Sequence, residues 1–136
     1  MIQISPDTQL VLLDDDSHLR TALSQTFDLA GLKVQAFANA EGVLAALPTD
    51  WLGVLVTDIR MPGISGLELL EQAQQLDKQL PVLLITGQGD VPLAVQAMRQ
   101  GAYDFLQKPF ANDLLLDSVH RALEVRRLVI ENRALR

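Results

Sequence analysis

An α/β fold, with a parallel sheet covered by helices on both faces, is predicted by three features of the chain. Five apolar runs of strand length alternate with five stretches whose apolar residues recur at three- and four-residue steps. Such alternation implies parallel strands joined by right-handed helical crossovers. Glycine and proline mark the boundaries between the two patterns. Four of the five runs also close on a polar side chain, which places chemistry at a single edge of the sheet.

After a polar lead ending at Gln9, Leu10-Val11-Leu12-Leu13 reads as a short buried strand running into Asp14-Asp15-Asp16. Leu19, Ala22, Leu23, Phe27 and Ala30 predict a helix over 17–30, stopped by Gly31. Residues 33–37 form a second strand, and Asn39 is expected to cap a helix through Leu47, ended by Pro48. Residues 52–56 make the central strand, buried on both faces, with Asp58 at its carboxyl end before Met61-Pro62-Gly63 and Gly66. A third helix is expected near 67–76, with Leu69, Leu70, Ala73 and Leu76 inward.

Residues 82–85 give the fourth strand, closing on Thr86-Gly87. Pro92 suits the first turn of a helix ending at Gly101. Residues 103–107 form the last strand, followed by Lys108-Pro109, and Asn112 or Asp113 is expected to cap a helix running to the end of the chain.

A chain of 136 residues with 49% apolar and 21% charged residues is the size of one domain and can bury a core. Its net charge of −6 argues against contact between this segment and nucleic acid or an anionic membrane. Without cysteine there is no disulfide, thiol catalysis or thiolate metal site, which suits a reducing cytoplasm. The N-terminal residues lack the basic and apolar regions of an export signal, and no apolar run is long enough to span a bilayer.

At the carboxyl ends of strands one, three, four and five stand Asp14-Asp15, Asp58, Thr86 and Lys108. Carboxylates about 4 Å apart repel by roughly 4 kcal/mol per pair at an effective dielectric near 20. A cation relieves that repulsion, and an all-oxygen, partly hydrated site suits Mg²⁺. The plainer reading is that the acids cap the first helix and Lys108 neutralises them, which does not explain their common position. With a divalent ion beside it, a carboxylate can act as a nucleophile toward a phosphoryl group. Lys108 would then offset charge on the transferred oxygens, and the Thr86 hydroxyl could bond one of them.

Val11-Leu12-Leu13-Asp14-Asp15-Asp16, Asp58-Ile59-Arg60-Met61-Pro62-Gly63 with Gly66, Thr86-Gly87, and Phe105 three residues before Lys108-Pro109 occur in that order. Together they resemble the receiver domain of two-component response regulators over nearly the whole chain. The resemblance implies a three-layer, flavodoxin-like (βα)5 fold with strand order 2-1-3-4-5. It implies Asp58 as phosphoacceptor, with Mg²⁺ held by Asp15, Asp58, the main-chain carbonyl of Arg60 and, through water, Asp14. Lys108 would pair with the phosphoryl group, the Lys108–Pro109 bond would be cis, and Thr86 and Phe105 would be the switch pair. Read alone, Thr86 is a strand-end hydroxyl and Phe105 a half-buried aromatic.

Two enzyme rivals are weaker. Gly87-Gln88-Gly89-Asp90-Val91-Pro92 imitates a dinucleotide loop, but Pro92 takes the place of the third glycine. Haloacid-dehalogenase-type phosphatases also use an acid at a strand end, with Mg²⁺ and lysine, yet carry a second acid two residues on, where this chain has Arg60. The expectation is slow loss of an acyl-phosphate rather than turnover of external phosphoesters, with Arg60 and Gln88 flanking the site and tuning its lifetime. His18 and His120 have no companion ligand in sequence and read as surface residues.

From His120 the chain reads HRALEVRRLVIENRALR. Val125 and Asn132 fall at heptad a positions and Leu128 and Leu135 at d, the pattern of a parallel two-stranded coil. Residues 1–122 are therefore read as the receiver and 123–136 as a helical coiled-coil linker, its last turn expected to lead into a further domain. GQGDVPLAVQAMRQGAYDFLQKPF with RRLVIENRALR is similar to the C4-dicarboxylate transport transcriptional regulators (the DctD group) of the sigma-54-dependent activators. That resemblance implies a cognate sensor histidine kinase, while the heptad pattern points to a homodimer through the last helix, with the helix 4, strand 5, helix 5 face as a further contact. It also implies AAA+ and DNA-binding domains in the full-length protein, for which this chain carries no motif. The other readings are a stand-alone receiver and a metal-dependent phosphatase.

Overall fold

The computed structural model describes residues 2–135. Strands β1 (Leu10–Leu13), β2 (Val34–Phe37), β3 (Val54–Asp58), β4 (Val82–Thr86) and β5 (Asp104–Gln107) alternate with helices α1 (Ser17–Leu29), α2 (Val43–Ala46), α3 (Gly66–Leu76), α4 (Val91–Gln100) and α5 (Asn112–Ala134). The strands are all parallel in the order β2-β1-β3-β4-β5, as expected for a flavodoxin-like receiver fold.

Alternation within the strands divides the core into two layers. Val11, Leu13, Leu55, Val82 and Leu84 face one way and pack with Val43, Leu69, Leu70, Ala73 and Ala97 from α2, α3 and α4. Leu10, Leu12, Val54, Val56, Leu83 and Ile85 face the other way, toward Leu23 and Phe27 of α1 and Leu115, Val119 and Ala122 of α5. The three central strands are buried along their whole length, which is why they read as unbroken apolar runs.

Several boundaries differ from expectation. The central strand starts at Val54, leaving Leu52 exposed, because Trp51 folds under the sheet and its ring lies against Gly53. Its Nε1 donates to the Thr8 carbonyl at 2.7 Å. The second helix is only one turn: Asn39 accepts from the Glu41 amide in a local turn, and the helix starts after Gly42, whose φ is +76°. In α3, capped by Ser65, Leu69, Leu70 and Ala73 are buried, but Leu76, the last residue of the helix, is 60% exposed. The last helix is preceded by Ala111, with no side-chain cap; Asn112 already lies in the first turn and its Nδ2 donates to Thr26 Oγ1 at 3.4 Å.

Helix α5 continues well past the sheet, and it is tied down. Arg126 is only 2% exposed; its Nε donates to the Trp51 carbonyl at 2.8 Å and its Nη2 to Asp77 Oδ2 at 2.9 Å. One heptad later Arg133 donates to Asp77 and Asp50. On the neighbouring stripe Val125, Leu128 and Leu135 are exposed. Arg136, the end of the expected linker segment, lies outside the described residues. Among those described, no helix is long and apolar enough to cross a membrane.

Candidate phosphoryl and metal site

Parallel register brings the strand ends level: Leu13 pairs with Thr57, Asp58 with Ile85, and Thr86 with Gln107. The residues following β1 and β5 therefore meet the ends of β3 and β4 at one edge. Carboxylate oxygens of Asp14, Asp15 and Asp58 all lie within 4.8 Å of one another.

The three consecutive acids after β1 divide their tasks. Asp16 caps α1, its Oδ1 accepting from the amides of His18 and Leu19 at 3.0 and 3.2 Å. The plainer reading of Asp14 and Asp15 as helix caps is thereby removed. Asp14 is fully buried; its Oδ1 accepts from the Asp16 amide at 2.9 Å, while Oδ2 is buried without a protein hydrogen-bond partner. Burial raises the Asp14 carboxyl above its ordinary pKa, the Asp16 amide opposes that, and the charges of Asp58 and Asp15 add to it. An orphaned carboxylate oxygen beside two further acids is a donor set that fits a hard divalent cation such as Mg²⁺.

Asp58, 8% exposed, has both oxygens engaged. Oδ1 accepts from the Arg60 amide at 3.1 Å and Oδ2 from Lys108 Nζ at 3.1 Å. Lys108 is carried to this point by a backbone bond from its amide to the Thr86 carbonyl, at 2.7 Å, and the Lys108–Pro109 peptide is cis. Gly66 closes the floor: a Cβ there would stand 2.6 Å from the Asp58 carbonyl oxygen and 2.8 Å from Ile59 Cα.

Thr86 is fully buried, and its hydroxyl donates to the Leu106 carbonyl at 3.5 Å, the long limit of such a bond. Phe105 is half-buried against the layer formed by α2, α3 and α4. His18 and His120 are both exposed, as expected, and so is Gln88.

One partner at this edge was not foreseen. Asp90, in a 3-10 turn (Gln88–Asp90) between β4 and α4, is 6% exposed, and its Oδ1 accepts from both Nε and Nη2 of Arg60 at 2.6 Å. An acid just before Val91-Pro92 would be taken for a helix cap, yet its side chain makes no capping bond. The arrangement as a whole offers a nucleophilic carboxylate, an ammonium to balance transferred charge, and a cluster of oxygens for a cation.

Comparison with known proteins adds a family to this geometry. Residues 10–120 match the family model described as the response regulator receiver domain. The C4-dicarboxylate transport transcriptional regulatory protein DctD of Pseudomonas aeruginosa is 67% identical over 129 residues, which cover 95% of this chain and 28% of that protein. The protein of the same name from Rhizobium meliloti is 52% identical over 133 residues, 98% of this chain and 29% of the relative. This chain thus spans under a third of those relatives. Among solved structures, FixJ-N superposes with a TM-score of 0.79 at 42% identity, covering 87% of this chain and 94% of FixJ-N.

Proposed function

The chain belongs to the response regulator receiver domain family, and from that premise we propose that it accepts a phosphoryl group on Asp58 from a sensor histidine kinase. The observation carrying this reading is the convergence on one buried carboxylate of Lys108 at 3.1 Å and of the acids Asp14 and Asp15. An Asp58 oxygen attacks phosphorus, the O–P bond forms, and the bond from phosphorus to the donor breaks. Lys108 follows the transferred oxygens and balances their charge. Asp15, Asp58, the Arg60 carbonyl and, through water, Asp14 would hold Mg²⁺, which would supply neutralising charge to the clustered carboxylates and phosphoryl oxygens.

Thr86 and Phe105 then act as the switch. The Thr86 hydroxyl gives up a long bond to Leu106 for a charged acceptor, and the Phe105 ring turns inward behind it. Moving a two-state equilibrium from 1:99 to 99:1 takes about 5.5 kcal/mol of differential interaction, the scale of several charged contacts to one phosphate. Residues 1–122 act as the receiver and 123–136 as the linker. Two copies pair through the exposed Val125, Leu128 and Leu135 stripe, and the α4, β5 and α5 face contributes, where Val95 and Met98 are exposed. In the longer protein the switch would govern the AAA+ and DNA-binding domains of a cytoplasmic sigma-54-dependent activator of C4-dicarboxylate transport.

The chain takes up a phosphoryl group without acting as an enzyme on external substrates. With a small acyl-phosphate donor and Mg²⁺ it should gain at most one phosphoryl group per molecule, and it should release nothing from a chromogenic phosphoester. Steady turnover of that ester would replace this reading with a metal-dependent phosphatase.

A further inference from the structure

Arg60 stands two residues after Asp58, and its amide is bonded to the Asp58 carboxylate, so its guanidinium is rooted at the rim of the phosphoacceptor pocket. That side chain is largely exposed, yet it is not free, because both Nε and Nη2 are committed to one oxygen of Asp90. Asp90 is nine-tenths buried, and a buried carboxylate stays ionised only with a partner. The pairing joins the β3–α3 loop to the β4–α4 turn across the mouth of the pocket.

A phosphoryl group on Asp58 would be a second anion within the same neighbourhood, and guanidinium binds phosphate oxygens through the two nitrogens now given to Asp90. The two anions compete for one fork. We propose that Asp90 is a positioning residue for the acyl-phosphate: by parking the Arg60 guanidinium, it sets how far the phosphoryl oxygens are covered and hence how long the phosphorylated state lasts. This rests on the phosphoacceptor reading above. In the step that ends that state, a water oxygen bonds to phosphorus, the phosphorus–oxygen bond to Asp58 breaks, and the carboxylate and inorganic phosphate are released. A guanidinium drawn over the phosphoryl oxygens pairs with the ground state and obstructs the incoming water, so its release from Asp90 slows decay.

The test is a four-variant comparison of acyl-phosphate decay, loaded with acetyl phosphate and Mg²⁺: wild type, Asp90→Asn, Arg60→Ala and the double variant. Asp90→Asn should decay more slowly by about fivefold, the ratio carried by one ion pair whose guanidinium is largely exposed. The double variant should decay at the Arg60→Ala rate, which a merely structural role for Asp90 would not produce. An effect of Asp90→Asn that persists without Arg60, or no effect in either background, overturns the proposal. Should Asp90→Asn not fold, Asp90→Ser makes the same comparison. A wild-type chain that takes no phosphoryl group removes the phosphoacceptor reading and this one together; uptake with unaltered decay removes this one alone.

Discussion

Replacing Asp77 by alanine tests the tie between the last helix and the body. Asp77 accepts from Arg126, which is fully buried, and from Arg133, so the change leaves a guanidinium inside the protein with only the Trp51 carbonyl and no counter-charge. Breaking a buried pair from one side costs about 3 kcal/mol or more. For a chain of 136 residues that is a fall of roughly 10 °C in the midpoint of thermal unfolding. Arg126→Met removes the charge while keeping an apolar stem, and should cost about 1 kcal/mol or less. The pH dependence has a definite sign. Bonds from Arg133, with the Gln79 amide and Arg126, hold the Asp77 carboxyl well below its ordinary range, against the opposing effect of burial. A depressed folded-state pKa contributes stability above the unfolded value of about 3.9 that is lost as pH falls toward the folded one. The gap between wild type and Asp77→Ala should therefore be level from about pH 5 to 8 and close below about pH 4. Thermal melts followed by circular dichroism across that range measure it. An Asp77→Ala protein within about 1 kcal/mol of wild type, or one more stable than Arg126→Met, would refute the reasoning.

Mg²⁺ should raise the unfolding midpoint by an amount equivalent to about 2.7 kcal/mol at a hundredfold excess over its dissociation constant, and much less in Asp15→Asn. That gain should weaken as acid protonates Asp14, whose pKa is raised chiefly by burial; calorimetry with and without chelator checks both. Gly66→Ala forces a methyl against the Asp58 carbonyl and should cost about 1–3 kcal/mol in urea unfolding while slowing phosphoryl uptake. Leu128→Glu on the exposed stripe of α5 should abolish self-association in analytical ultracentrifugation without lowering stability; an unaltered dimer would place the seam elsewhere.

The parts legible from sequence were those in which one residue type answers to one local environment. β1, β3 and β4 are buried on both faces and show as continuous apolar runs, and their polar terminators mark the edge where Asp14, Asp15 and Asp58 converge. The first helix stop at Gly31 and the fourth at Gly101 were visible because both glycines sit at positive φ. Where competing signals were close, the pattern misled. Leu44 and Leu47 lie at helical spacing after Asn39, but Gly42 in the left-handed region delays the helix to a single turn. Leu76 keeps the period of α3 but is its last residue and stands exposed. Arg126 looks like any charged residue on a solvated helix, and its burial depends on Asp77, 49 residues away. Asp90 is likewise defined by Arg60, 30 residues distant, so neither ion pair has a local signature.

The most direct test of the account is the intact mass of the chain after incubation with acetyl phosphate and Mg²⁺, beside Asp58→Asn treated identically. Wild type should gain the mass of one phosphoryl group and lose it on standing, and Asp58→Asn should gain nothing. Equal uptake by the two proteins, or none by wild type, would contradict the assignment of this edge as a phosphoryl acceptor.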